Sequence, residues 1–366
     1  MKRLIPVIIL LFLLACNKKD KDNLIWERSG GPGEAFFIKS SPDSGFIAAG
    51  QSNGRPYFIR YNGKREKVID FTKESAGLFS SAWFDTTAYI LGGSSAGKML
   101  LARYNRNGGI VWEKSINAGF NILYTRLFNT AGGRFVALGT ASSDSSSTAV
   151  TGLYFVAFDT AGTVLGEKKI SDSKSLSSVK ATIDNTGNIY LALTKSSTGA
   201  KPMAYAAKYN SSFVKIWESS LFNNASYAST SLDIKAGENG NIYVSGKTEV
   251  PSGTGHVNNS FIACLNGNGS LSASWSEKRY PELENEGSAI LLDASNSLLL
   301  LNRNCMIIDI LDSSDGTDAG VLRSFTGCLP KSTDAIGNDF DLNYDGNILM
   351  AGKLGGKFFV GMRSSK

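Results

Sequence analysis

Histidine is almost missing from this chain: one residue, His256, in 366. That excludes any metal site or acid–base pair built on two imidazoles. Cysteine is scarce too, at four residues, too few to frame a stack of small disulfide-bonded domains. With 8 prolines, neither a polyproline rod nor a collagen-like helix is open to it. The longest early apolar run covers residues 4–15 and falls short of the roughly 20 residues that a membrane-crossing helix needs. Charge of one sign is also in short supply, since 38 basic residues face 32 acidic ones for a net of +6. What the chain does have is 42% hydrophobic residues and 39 glycines, an ordinary globular composition with many tight turns.

The N-terminus has its own logic. Lys2 and Arg3 precede the apolar run, which closes on Leu13-Leu14-Ala15-Cys16. A basic start, a short apolar stretch and a small residue before a cut site mark a secretory signal, so residues 1–15 are expected to be a signal peptide. The tetrapeptide ending at Cys16 resembles the lipobox of bacterial lipoproteins. That resemblance implies diacylation of Cys16 and cleavage before it, which would anchor the chain stably, at about 0.8 kcal/mol per buried CH₂. Asn17 rather than Asp after the cysteine implies, by the same resemblance, the outer membrane. Lys18-Lys19-Asp20-Lys21-Asp22 is similar to the charged export signals of Bacteroidota lipoproteins, although those are more acidic. Residues 16–23 thus read as the lipidated Cys and a charged tether, whose part after Cys16 reaches about 25 Å when extended.

Everything from residue 24 to 366 repeats. One strand-like run recurs as Phe46-Ile47-Ala48-Ala49-Gly50, Tyr89-Ile90-Leu91-Gly92-Gly93, Phe135-Val136-Ala137-Leu138-Gly139 and Ile189-Tyr190-Leu191-Ala192-Leu193. It returns as Ile242-Tyr243-Val244-Ser245-Gly246, Ser297-Leu298-Leu299-Leu300-Leu301 and Ile348-Leu349-Met350-Ala351-Gly352. Asn-Gly or Asp-Gly turns precede several copies and supply the positive φ of tight hairpins. A second apolar run follows each first one, and a closing strand such as Val111-Trp112-Glu113-Lys114 or Ile216-Trp217-Glu218-Ser219 comes next. Each unit reads as a four-stranded antiparallel meander, labelled a to d, and hence as one blade of a propeller.

The last unit ends at Met362 without a Trp-Glu strand, yet Leu24-Ile25-Trp26-Glu27-Arg28-Ser29 matches the missing one. The expected fold is therefore all-β: a seven-bladed β-propeller of four-stranded antiparallel blades, with the last blade closed by the N-terminal strand. The stretch from Ile234 to Thr248 (IKAGENGNIYVSGKT) resembles the bacterial seven-bladed β-propeller repeat of secreted and surface proteins. The resemblance implies a fold and an extracellular setting and carries no catalytic residues.

In such a blade the a–b and c–d turns fall on one face, and the b–c and d–a connections on the other. The long connections, 140–152, 194–203 and 247–260, collect on the second face, where binding is expected together with the mouth of the axial channel. Candidate ligand contacts are Arg55, Lys98 and Lys201 in b–c connections and His256 in Gly253-Thr254-Gly255-His256. Glu282, Glu284 and Glu286 join them, lying on alternate positions between blades 5 and 6. Trp26, Trp112, Trp217 and Trp275 recur on outer strands and are expected to pack between blades. Trp83 breaks that pattern on strand a of blade 2, so it too is a candidate contact. The basic b–c connections are nearly cancelled by acidic d–a connections, and no nucleic-acid partner is expected.

Other motifs reduce to turns or stay open. Gly92-Gly93-Ser94-Ser95-Ala96-Gly97-Lys98 has phosphate-loop spacing, but Met99 replaces the Mg²⁺-binding hydroxyl and a strand follows where a helix is required. Asp341, Asn343 and Asp345 copy the opening of a calcium loop, although Gly352 stands where a bidentate Glu belongs. A Ca²⁺ site there stands as the alternative to a plain Asp-Gly hairpin, and no other cofactor is expected. Cys305 and Cys328 both map to the b–c/d–a face, which leaves a disulfide and free thiols as alternatives. Cys264, inside a strand, is expected to be a buried small hydrophobe. The expected function is that of an outer-membrane or surface lipoprotein, a non-catalytic binding or assembly module for a protein or glycan outside the cell. The alternative is a glycan hydrolase or lyase with carboxylates at the channel mouth.

Overall fold

The computed structural model describes residues 24–364, apart from 85–86, 131–132, 143–149, 198, 223–226, 253–254, 273–276, 281–286, 294, 296, 304–306 and 323–334. Among the described residues every long regular element is a β-strand. Strand b of each repeat is buried at nearly every position, as in Ala88–Ser95, because neighbouring blades cover both faces of its sheet. Such strands read as unbroken apolar runs rather than as alternating ones.

The strands group into seven four-stranded antiparallel units. Blade 2 is Gly77–Phe84, Ala88–Ser95, Lys98–Asn105 and Ile110–Ile116; blade 5 is Ser229–Ala236, Ile242–Ser252, Gly255–Leu265 and Glu277–Tyr280. Blade 6 is Gly287–Leu292, Ser297–Asn302, Ile307–Asp312 and Asp318–Leu322. The other four blades are joined in pairs by strands that serve two blades each. Val164–Ile183 closes blade 3 (Asn121–Thr130, Arg134–Ser142, Val150–Asp159) and then opens blade 4, which continues with Ile189–Ser196, Met203–Tyr209 and Lys215–Ser220. Leu24–Ser40 does the same for blade 7 (Ala335–Leu342, Ile348–Leu354, Lys357–Arg363) and blade 1 (Phe46–Ser52, Arg55–Tyr61, Lys67–Thr72).

This second long strand seals the ring. Leu24 pairs with Arg363, Trp26 with Met362 and Ser29 with Phe359, after which Ala35 pairs with Gly50 in blade 1. The last blade therefore has no bare edge at this strand, as the Trp-Glu match predicts. The apolar cores lie between blades: Ile47 and Phe58 of blade 1 pack with Phe79, Tyr89 and Tyr104 of blade 2. Trp26 sits edge-on to Phe46 and Tyr61, with centroids 5.5 and 4.7 Å away. The Nε1 of Trp112 donates to the Thr160 carbonyl and that of Trp217 to the Gly267 carbonyl, each in the c–d turn of the next blade. Those turns need glycine: Gly162 has φ +80°, and a Cβ there would lie 2.9 Å from the Trp112 ring. Trp275 lies outside the described residues.

One feature is absent from the repeat as read in the sequence. Every innermost strand carries a β-bulge, at Phe36, Ser80, Leu123, Ser177, Leu232, Ser288 and Asn338. A bulge adds twist and re-aims a side chain. At three junctions the bulged residue donates to a main-chain carbonyl on the next blade's inner strand: Ser80 to Thr125 at 2.6 Å, Ser288 to Gly337 at 3.0 Å, and Asn338 to Ala35 at 2.8 Å. These bonds satisfy the open edge of the strand nearest the axis.

The segment 247–260 differs from its expected form as a loop. Lys247 pairs with Ser260, and the pairing continues to Ser252 with Gly255, so strands b and c of blade 5 extend into a projecting hairpin. Val250 and Val257 pair within it, giving the β-branched partners that favour continued strand.

Candidate functional site

The inner strands set the geometry of the axis. In six blades one residue sits opposite the fourth residue of the strand-b run, Phe37, Ser81, Arg126, Lys180, Asp233 and Asp339, and in blade 6 Ala289 sits opposite the fifth, Leu301. All seven line a single axial cavity of about 590 Å³. Two positions further along the strands lie Lys39, Trp83, Phe128, Thr182 and Lys235, which line it as well. The cavity continues to Pro42 and Tyr344 in a–b turns. It thus opens on the a–b face, whereas the loop-rich opposite face was the expected entrance. The cause is local: the lining comes from the second half of each inner strand, after the bulge.

The carboxylates of this tier are engaged with the scaffold. Asp339 Oδ2 accepts the Ile38 N–H at 3.1 Å, and Asp233 Oδ2 accepts that of Ile290 at 2.9 Å. Burial holds the Asp339 carboxyl above the usual carboxylate range, against the pull of Arg126, Lys180 and Lys235. Lys180 is half-buried and lines the cavity. That enclosure and the nearby Arg126 guanidinium push its amine down to about 8, opposed by Asp233 and Asp339 and aided by Arg303. Among the described residues Lys180 has no ion-pair partner within 4 Å, while the Nη1 of Arg126 donates to the Ser80 carbonyl at 3.3 Å. The ring therefore carries mixed charge, with its two cations on adjacent blades.

The candidates named from the sequence are dispersed. Trp83 lines the cavity, half-buried, with its ring edge-on to Phe135 at 4.9 Å. Lys201 and His256 come together on the loop-rich face: Lys201 Nζ lies 2.7 Å from Glu249 Oε2 on the blade 5 hairpin, and His256 stands edge-on to Tyr227. The Lys201 bond holds the Glu249 carboxyl below its usual range. Arg55 pairs with Glu74 at 3.1 Å on the exposed rim of blade 1, and Lys98 stands exposed on blade 2, both away from that cluster. Glu282, Glu284, Glu286, Cys305, Cys328 and Cys16 lie outside the described residues.

The calcium-loop candidates have other partners. Asp341 lies 3.0 Å from Lys39 Nζ through Oδ1 and accepts the Ser40 N–H through Oδ2 at 2.7 Å. Asn343 Oδ1 accepts the N–H groups of Asp345 and Asn347, the pattern of an Asx-type turn. Among the described residues no group of three or more His, Cys, Asp or Glu is placed to hold a metal ion. Cys264 is fully buried.

Composition and motif spacing do not set Arg126, Lys180, Asp233 and Asp339 apart as site residues. A positional signal does exist, because each lies nine residues before the apolar residue that opens strand b: Phe135, Ile189, Ile242 and Ile348.

No protein-family model matches the chain, and no curated protein matches it. Among solved structures, the WD40 domain of Neurospora crassa Pan2 is similar, with a TM-score of 0.61 at 12% identity over 91% of this chain and 90% of that one. A Bacteroides caccae protein of unknown function aligns with a TM-score of 0.45 at 12% identity, over 72% and 82% of the respective chains. The first likeness establishes a β-propeller fold, and a fold by itself does not fix a function.

Proposed function

We propose that this protein is a lipid-anchored β-propeller, held at the outer membrane through Cys16, that works as a non-catalytic binding or assembly module for a protein or glycan outside the cell. The observation that carries the reading is where the chain enters the ring. Leu24 pairs with Arg363, at the c–d end of blade 7, so the tether of residues 16–23 arrives at the rim of the a–b/c–d face. A tether reaching about 25 Å keeps that rim near the bilayer and turns the opposite face outward. That outward face bears the projecting blade 5 hairpin and the Lys201–Glu249 pair, features suited to contact with a partner. A binding role is favoured over glycan hydrolysis because the axial carboxylates Asp233 and Asp339 are each spent on a main-chain N–H.

The test uses the full chain in a Gram-negative host. The wild-type protein should partition with outer membranes and incorporate labelled palmitate, and Cys16→Ala should do neither. Wild-type protein that takes up no lipid would end the anchoring part of the proposal. Capture from intact outer membranes should return a partner without chemical change to it. Turnover of an offered glycan would replace the binding reading with the enzymatic one.

A further inference from the structure

We infer that the axial cavity is a binding site for a small organic anion, which enters from the a–b face and seats its carboxylate or phosphate group between Arg126 and Lys180. This does not rest on the lipid anchor or on the loop-rich face.

The charge arrangement carries the argument. Lys39, Arg126, Lys180 and Lys235 line the cavity against only Asp233 and Asp339. Both carboxylates already accept main-chain N–H groups of the next blade, and Lys39 at the mouth is held by Asp341. With Lys39 paired, the three cations Arg126, Lys180 and Lys235 face the two carboxylates, so positive charge is in surplus, and Arg126 and Lys180 project from adjacent inner strands. Two like charges in an enclosed site oppose each other; burial first and the Arg126 charge second lower the proton affinity of Lys180. An anion between the two side chains relieves that opposition and completes the donors they present. One nitrogen of Arg126 is tied to the Ser80 carbonyl, which fixes the guanidinium while leaving further N–H groups of its fork for a carboxylate or phosphate.

Size and wall chemistry narrow the class. A cavity of about 590 Å³ falls in the range of small-molecule sites, about 300–1,000 Å³, and is too confined for a polymer lying along the surface. Towards the mouth, Trp83 and Phe128 offer apolar ring surfaces for the body of a sugar acid or sugar phosphate. Divalent cations are disfavoured, because the cavity's two carboxylates are outnumbered by its cations and no described group of three or more His, Cys, Asp or Glu is placed to hold a metal.

The experiment is titration calorimetry on the full-length protein in detergent, with inorganic phosphate, glucuronate and neutral glucose as probes. Saturable binding of phosphate or glucuronate, with glucose silent, is the expected result, and whichever anion binds more tightly identifies the headgroup. Lys180→Met and Arg126→Met keep the aliphatic bulk and remove the charge, and each should weaken binding at least about tenfold, as loss of a charge-assisted hydrogen bond does. Should either variant fail to fold, acetylation of wild-type Lys180, mapped by mass spectrometry, serves instead: the bound anion should protect that amine. Absence of binding by both anions, undiminished binding in both variants, or equal Lys180 acetylation with and without the anions would overturn the proposal.

Discussion

The carboxylate of Asp339 accepts the main-chain N–H of Ile38 at 3.1 Å, joining the inner strand of the last blade to that of the first. Asp233 makes the same bond to Ile290 at 2.9 Å, from blade 5 to blade 6. An inner strand has a sheet neighbour on one side only, so its other edge presents unpaired amides to the axis. A side chain from the preceding blade satisfies one of them, and the ring is locked from within as well as around its rim.

Asp339→Ala removes that acceptor and is expected to cost about 1–3 kcal/mol, the usual penalty for orphaning a buried donor. Asp339→Asn keeps an acceptor oxygen and should cost less. Because burial raises the folded-state pKa of Asp339, its protonated form is favoured in the folded protein. That contribution is present below the ordinary carboxylate range and is lost as pH rises through the raised value. Urea denaturation of wild type and Asp339→Asn in acid and at neutral pH should show the variant gaining on wild type as pH rises.

Ring closure is open to a separate test at the rim. Trp26 stands against Phe46 and Tyr61 of the neighbouring blade, so Trp26→Ala should cost about 2–4 kcal/mol for a half-buried aromatic. Deleting residues 24–29 should lower the thermal midpoint further, because the last blade then ends on an unpaired strand. Calorimetry showing the wild-type midpoint for both would contradict closure.

Gly162 and Gly166 form a matched pair of controls. Alanine at 162 must adopt φ +80° and meets the Trp112 ring, whereas a Cβ at Gly166 has nothing within 4 Å. Gly162→Ala should destabilise by about 1–3 kcal/mol and shift the tryptophan fluorescence as the Trp112–Thr160 bond yields. Gly166→Ala should leave both unchanged.

The a–b turn of blade 4 predicts an acid dependence. Burial alone would raise the Asp184 carboxyl, but hydrogen bonds from Asn188, Thr186 and Tyr190 outweigh it and hold the group at about 2. A lowered folded pKa contributes stability that is complete above the ordinary carboxylate range and is lost as pH falls towards about 2. Asp184→Ala should therefore be less stable than wild type at neutral pH, and the two denaturation midpoints should converge in strong acid.

Cys264 offers a probe of core access. Burial pushes its thiol up to about 11, so a disulfide reagent should not label it in the native protein at neutral pH and should label it on unfolding. Rapid native labelling at Cys264 would place strand c of blade 5 in solvent.

Much of the fold was readable because strand b is covered on both sides. Runs such as Tyr89-Ile90-Leu91 and Leu298-Leu299-Leu300 are apolar for that reason, and they recur with the blade. Trp112 and Trp217 recur because each reaches one c–d turn in the next blade, so their spacing announced inter-blade packing and identified Trp26 as the closing copy. Trp83 breaks that rhythm, and it lines the cavity. The remaining axial residues gave no such sign, since Phe37, Ser81, Arg126, Lys180, Asp233, Ala289 and Asp339 occupy similar places in their blades with no one residue type common to all seven. The blade 5 hairpin was hidden for a different reason: the Ser, Gly and Asn between Lys247 and Ser260 suit a loop as well as a strand, and pairing decided between them.

The sequence by itself determined the repeat, the number of strands each unit supplies and the strand that closes the last blade, because local periodicity and turn chemistry act within some fifty residues. Only the tertiary structure decided which side chains meet on the axis and which mouth they face. Those residues sit on separate inner strands, each re-aimed by a bulge, and their charges interact only because ring closure carries seven distant segments to one centre.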